Sequence, residues 1–150
     1  MRISYDYEDL FKILNKYRVK YLVAGAYAVS YYAEPRFTKD IDIWVDPKPS
    51  NAQRVYNALK AFGAPLRGIT PKDFTNKKII YQIGVPPLRV DIMMGLPGLT
   101  FAKAWEKRKK TKYNKTSIYI LSKQDLIVSK EQIKRDQDIL DIKNLKKQRR

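Results

Sequence analysis

Apolar and polar positions alternate along this chain with two periods, and the switches between them mark the predicted elements. From Tyr7 to Tyr17 the apolar residues Leu10, Phe11, Ile13, Leu14 and Tyr17 make a helical stripe, with Asp6, Glu8 and Asp9 suited to its N-terminus. Tyr21-Leu22-Val23-Ala24 is a short apolar run ending at Gly25, and Ala26 to Ala33 reads as a small-residue helix flanked by aromatics. The period then changes to two. In Arg36-Phe37-Thr38-Lys39-Asp40-Ile41-Asp42-Ile43-Trp44-Val45 a strand places Asp40 and Asp42 on one face and Ile41, Ile43 and Val45 on the other.

Asp46-Pro47-Lys48-Pro49 stops that strand, and Ser50-Asn51-Ala52-Gln53 has the form of a capping box. The helix it opens carries Val55, Leu59 and Phe62 on one face and closes at Gly63, with Pro65 just beyond. Arg67 to Lys78 reads as a polar loop. Lys78–Ile83 and Leu88–Met93 read as two strands, joined in hairpin fashion through Gly84-Val85-Pro86-Pro87, and Asp91 faces away from Val90 and Ile92. After the Gly95-Leu96-Pro97-Gly98 turn, Thr100 caps a short helix on which Phe101 and Trp105 share a face. A basic run then leads to Ser117–Leu121, a last edge-like strand. Ser122 starts a helical region holding Ile127, Ile133, Ile139, Ile142 and Leu145, with a corner near Lys134-Arg135-Asp136-Gln137. The expected fold is α+β: a mixed central sheet of about four to five strands, flanking helices and a helical segment from about residue 122. Residues 1–150 are expected to form one domain.

Composition narrows the chemistry. There is no cysteine and no histidine, which excludes disulfides, thiolate or imidazole metal sites and an imidazole base. Acid, base or metal chemistry must rest on Asp, Glu, Lys or Tyr. The first residues lack a signal pattern and no apolar run approaches the ~20 residues that span a bilayer, so a cytoplasmic protein without membrane contact is expected. A formal charge of +16 predicts attraction to polyanions, most readily nucleic acid or nucleotide phosphates. That charge concentrates in Lys107-Arg108-Lys109-Lys110-Thr111-Lys112-Tyr113-Asn114-Lys115 and at the C-terminus, so Lys107, Arg108, Lys109, Lys110, Lys112 and Lys115 are candidate nucleic-acid contacts.

Paired carboxylates on one strand face repel each other and call for a cation; magnesium suits them because it takes a few carboxylate oxygens plus substrate phosphates. Asp40, Asp42 and Asp91, from two strands, could converge at one sheet edge and hold two magnesium ions ~3.5 to 4 Å apart. The strand-Gly25-helix turn is an arrangement that aims free backbone N–H groups at an anion.

With Gly25 after a strand, Arg36-x-Thr38-x-Asp40-Ile41-Asp42 after a helix and Val90-Asp91-Ile92 on a later strand, nearly the whole chain resembles the nucleotidyltransferase superfamily related to DNA polymerase beta. The resemblance is to its small bacterial and archaeal branch, which includes abortive-infection toxins of toxin-antitoxin pairs. It implies that Gly25 and Ala26 bind the triphosphate and that Asp40, Asp42 and Asp91 are the metal aspartates. Ala26 departs from the usual Gly or Ser, offering a backbone N–H but no hydroxyl. Arg36 and Thr38 are expected to position phosphate or to anchor the loop. Lys130 and the pattern Arg135-Asp136-Gln137-Asp138-Ile139-Leu140-Asp141-Ile142 look like later elements of the toxin branch. By that analogy Lys130 contacts nucleotide phosphate and Asp138 orients it or the acceptor.

The implied reaction is attack of an acceptor hydroxyl on the alpha-phosphorus of a nucleoside triphosphate, ATP among the candidates, with magnesium as cofactor and Asp91 nearest the acceptor. The charge favours an RNA acceptor such as a tRNA end, and a toxin restrained by an acidic antitoxin. The alternatives are a nucleic-acid-binding module that kept the fold without catalysis, and nucleotide transfer to a protein or small-molecule hydroxyl.

Overall fold

The computed structural model describes residues 7–33, 40–84, 89–133 and 135–147. Arg36 and Thr38, the Val85–Pro87 part of the predicted hairpin and the last three residues lie outside them.

Six strands form one mixed sheet in the order β3-β4-β2-β1-β6-β5, one strand more than the upper expectation. They are β1 (Tyr21–Ala24), β2 (Asp40–Val45), β3 (Ile80–Ile83), β4 (Arg89–Met93), β5 (Lys109–Tyr113) and β6 (Thr116–Ile120). The added strand is β5, which is the basic run itself. It pairs antiparallel with β6 from Lys109↔Ile120 to Tyr113↔Thr116, so the expected edge strand β6 is covered on that side and β5 is the edge. Lysine is poor strand material, and exposed lysines on a sheet edge discourage pairing with another chain.

The helices are α1 (Tyr7–Lys16), α2 (Gly25–Tyr32), α3 (Pro49–Phe62), α4 (Phe101–Glu106), α5 (Lys123–Ile133) and α6 (Asp136–Lys147). The break between α5 and α6 falls where the sequence placed it. α3 opens differently from expectation: Lys48 is its N-cap and Pro49 its first residue, with no side-chain cap. Asn51 is instead buried, donating to the carbonyls of Lys20 (3.1 Å) and Asp46 (2.9 Å) and accepting from the Lys20 N–H at 2.8 Å. It thereby ties the end of β2 to the start of β1. Thr100 is the N-cap of α4, also without a side-chain bond. The segment expected as a loop contains a 3-10 turn, Pro71–Thr75, where Asp73 accepts from the Thr70 N–H at 2.8 Å and Phe74 is fully buried.

Alternation along β2 does what the sequence demanded. Ile41, Ile43 and Val45 are buried in the core with Leu10, Phe11 and Leu14 of α1 and Val55 and Leu59 of α3. Aromatic rings carry the packing across the sheet. Trp44 meets Phe101 edge-on, Phe101 stacks on Trp105, and Trp105 meets Tyr119. The buried Ile41, Ile43 and Val45 face fixes the plane from which Asp40 and Asp42 project on the other side.

Candidate active site

Strand register assembles the site. Directly opposed residues share a sheet face, and the pairs Gln82↔Asp91, Asp91↔Asp42 and Asp42↔Ala24 string one row across β3, β4, β2 and β1. Asp42 and Asp91 therefore stand side by side in the middle of the sheet. The next positions on the same face pair Asp40 with Arg89.

Gly25 closes the row on the β1 side. Its φ of 63° lies in the left-handed region, and a Cβ there would overlap Asp42 Oδ2. The glycine leaves room for the carboxylate to lie against the turn into α2, whose second residue is Ala26.

Electrostatics single out Asp42. Burial first, then the charges of Asp91 and Asp40 and a hydrogen bond with Asp91, push its carboxyl up to about 6, against a smaller pull from Lys130. Asp91 Oδ1 is buried and makes no hydrogen bond. A carboxylate pair desolvated in this way, built only of hard oxygen donors, fits a magnesium-class cation, which would relieve the repulsion. The third aspartate is placed differently. Asp40 accepts from Arg89 Nη2 at 3.0 Å, and Arg89 Nε lies 3.5 Å from Asp91 Oδ1. Among the described residues no three acidic side chains are gathered closely enough to cage a metal.

Over the row lies a cleft of about 390 Å³, with Asp42 and Asp91 on one wall and Lys130, Arg135 and Asp138 on the other. Apart from Ser129, its remaining lining is apolar, including Ile80, Met93 and Leu126. Lys130 and Asp138 are not solvated helix residues. Lys130 Nζ is 3.2 Å from Asp138 and 2.9 Å from Asp141, and all three residues are buried. Arg135 Nε adds a bond to Asp138 at 2.8 Å. The Arg135 hydrogen bond, helped by Lys130, holds Asp138 down at about 2 against the effect of burial. The α5–α6 corner is thus pinned by an internal ion cluster facing the cleft.

The predicted basic contacts separate. Lys107 Nζ is tied to Asp125 at 2.8 Å, and the Arg108 guanidinium lies 4.0 Å over the Trp105 ring and 5.3 Å from that of Tyr119. Lys109, Lys110 and Lys112 are exposed on β5, and Lys115 is exposed in the β5–β6 turn, its N–H donating to Glu8. Arg89 lies at the row without having been marked by any sequence motif, and Arg135, expected only as the start of the Arg135–Ile142 pattern, lines the cleft. Arg89 had a legible signal: it stands two positions before Asp91 on a strand and so shares its face.

The mixed sheet thus carries paired aspartates on adjacent parallel strands, with a glycine turn against them. The family model described as "nucleotidyltransferase of unknown function (DUF6036)" matches residues 1–147, and the chain belongs to that family. The chain resembles in fold the lincosamide antibiotic adenylyltransferase LnuA, solved with lincomycin bound, at 18% identity and a TM-score of 0.57. That likeness covers 91% of this chain and 92% of the other. It also resembles a candidate nucleotidyltransferase from Thermotoga maritima, at 15% identity and a TM-score of 0.52, over 92% of this chain and 83% of the other. No curated protein matches the chain. Among the described residues no helix is long and apolar enough to cross a membrane.

Proposed function

We propose that this protein, acting as a single cytoplasmic domain, is a magnesium-dependent nucleotidyltransferase that moves a nucleoside monophosphate from a nucleoside triphosphate to a hydroxyl of RNA, such as a tRNA end. The observation that carries the reading is the Asp42–Asp91 pair, desolvated and mutually repelling beside Gly25. A new bond forms between the acceptor oxygen and the alpha-phosphorus, the bond to the beta-phosphate oxygen breaks, and pyrophosphate leaves. Asp42 and Asp91, with Asp40 joining them, would hold magnesium, which would supply charge neutralisation and a lowered pKa for the acceptor hydroxyl.

The chain's own residues do the rest. The Gly25–Ala26 turn receives the triphosphate through backbone N–H groups, and the family resemblance adds Arg36 and Thr38 as phosphate-positioning residues. Asp91, on the side of the row toward the open edge β3, takes the acceptor's proton. Lys130 is already committed to two carboxylates, so with Asp138 it holds the cleft wall in place. The +16 charge and the exposed lysines of β5 support a polyanionic acceptor, and equally an acidic protein restraining the enzyme as an antitoxin would.

A second reading, transfer to a small-molecule hydroxyl, is favoured by the mostly apolar lining of the cleft and by the likeness of fold to an antibiotic adenylyltransferase. The deciding experiment incubates purified protein and magnesium with each of the four alpha-labelled triphosphates and total RNA, protein or a panel of hydroxylated small molecules. RNA should acquire label, and Asp42→Ala should not support it. Label appearing on small molecules alone selects the second reading. No labelling of any acceptor, with RNA binding intact in Asp42→Ala, points to a binding module instead.

A further inference from the structure

Arg89 stands within the row formed by Asp40, Asp42 and Asp91. On β4 it shares a face with Asp91, and it is in register with Asp40 on β2, so its guanidinium lies between the two. Toward Asp40 the contact is a full hydrogen-bonded ion pair, Nη2 to Oδ2 at 3.0 Å. Toward Asp91 it is incomplete. Nε and Oδ1 are 3.5 Å apart, and both atoms are buried without a hydrogen bond to any group. Two desolvated, oppositely charged atoms that face each other without bonding form a poor resting contact, and either gains by exchanging its partner. Among the described residues, the cations that line the cleft are engaged elsewhere, Lys130 by Asp138 and Asp141 and Arg135 by Asp138.

We propose that Arg89 is a resident counterion of the carboxylate row: it holds Asp40 and Asp91 in the metal-free protein and competes with a divalent cation for them. This rests on the reading of the row as a metal site and adds to it a residue that sets how tightly metal is held. Entry of the cation releases Asp40 from the guanidinium, and Asp40 then turns toward Asp42 as the third oxygen donor. The lack of a three-carboxylate cage among the described residues follows from this, because Arg89 draws Asp40 aside. Arg89 is here a positioning residue.

The test measures binding of manganese, as a spectroscopically visible substitute for magnesium, to the protein without nucleotide. Free Mn²⁺ is followed by electron paramagnetic resonance at constant ionic strength. The proteins are wild type, Arg89→Gln, Arg89→Met and Asp42→Asn, each checked for folding by circular dichroism. Arg89 is partly exposed, so the two neutral replacements should fold. Arg89→Gln and Arg89→Met should bind Mn²⁺ about tenfold tighter or more than wild type, the effect expected when a like charge within a few ångströms is removed. Wild type that binds Mn²⁺ and loses it with Asp42→Asn, while both Arg89 variants bind no tighter, overturns the counterion role and leaves the metal site standing. No binding by any of the four proteins overturns the metal site itself, and the counterion role with it.

Discussion

Asp42 and Asp138 line the same cleft, yet the fold treats their charges in opposite ways. Asp42 is pushed up to about 6 by burial and by neighbouring carboxylates, whereas Asp138 is held at about 2 by Arg135 and Lys130. The strand-borne row is a charge arrangement left incomplete, and the α5–α6 cluster is one completed internally. A buried charge that the protein does not neutralise is where a ligand is expected, and a neutralised one is where structure is expected. The wall with surplus negative charge is therefore the candidate catalytic wall, and the wall with Lys130 supports it.

The largest effect should come from removing the row's charge. Asp42→Asn or Asp91→Asn should lower nucleotide transfer on the order of 10³-fold, the loss of several kcal/mol of transition-state charge stabilisation. Labelling at saturating triphosphate measures it.

Lys130→Ala sharpens the contrast from the other side. It leaves Asp138 and Asp141 buried and short of a cation, which should cost about 3–5 kcal/mol in urea unfolding. A Lys130→Ala protein that keeps wild-type stability but loses activity breaks the comparison and returns Lys130 to the phosphate role that the family resemblance implied.

Asp42→Asn has a second consequence of opposite sign. A carboxyl with a raised folded pKa favours the native state while it is protonated, and that contribution is lost as pH rises through about 6. At pH 7.5 without metal, removing the charge should stabilise the protein by about 2 kcal/mol, raising Tm by about 4–8 °C. Asp138 behaves in reverse. Its lowered pKa contributes stability at pH values above about 4, and this is lost as pH falls toward 2. Acid unfolding of wild type should therefore steepen between about pH 4 and 2, and that component should be missing in Asp138→Asn.

The smallest effect belongs to β5. Replacing Lys109, Lys110 and Lys112 with Gln should weaken RNA binding and reduce its salt slope by about 2–3, with little change in stability because these side chains are exposed. An unchanged slope makes the lysines a solubilising edge.

Much of the candidate catalytic wall was legible because two-residue alternation fixes faces whatever the tertiary context. Asp40, Asp42 and Asp91 and the helix break after Ile133 all follow from local pattern. What escaped depends on partners distant in sequence. β5 reads as a charge run because its pairing with β6, not its lysines, makes it a strand. The burial of Lys130 and Asp138 escaped because nothing local shows α6 folding back on α5. Gly25 was expected for its backbone; its close fit to Asp42 needs the β1–β2 pairing.

If the Asp42–Asp91 row is an unfinished charge site, a divalent cation should bind it and stabilise the protein. Thermal unfolding of wild type and Asp42→Asn, each with and without magnesium and a non-hydrolysable nucleoside triphosphate, tests it most directly. Asp42→Asn should melt higher than wild type without ligand, and magnesium with nucleotide should raise the Tm of wild type alone. An Asp42→Asn protein that melts lower than wild type, or that gains as much from magnesium and nucleotide, would contradict it.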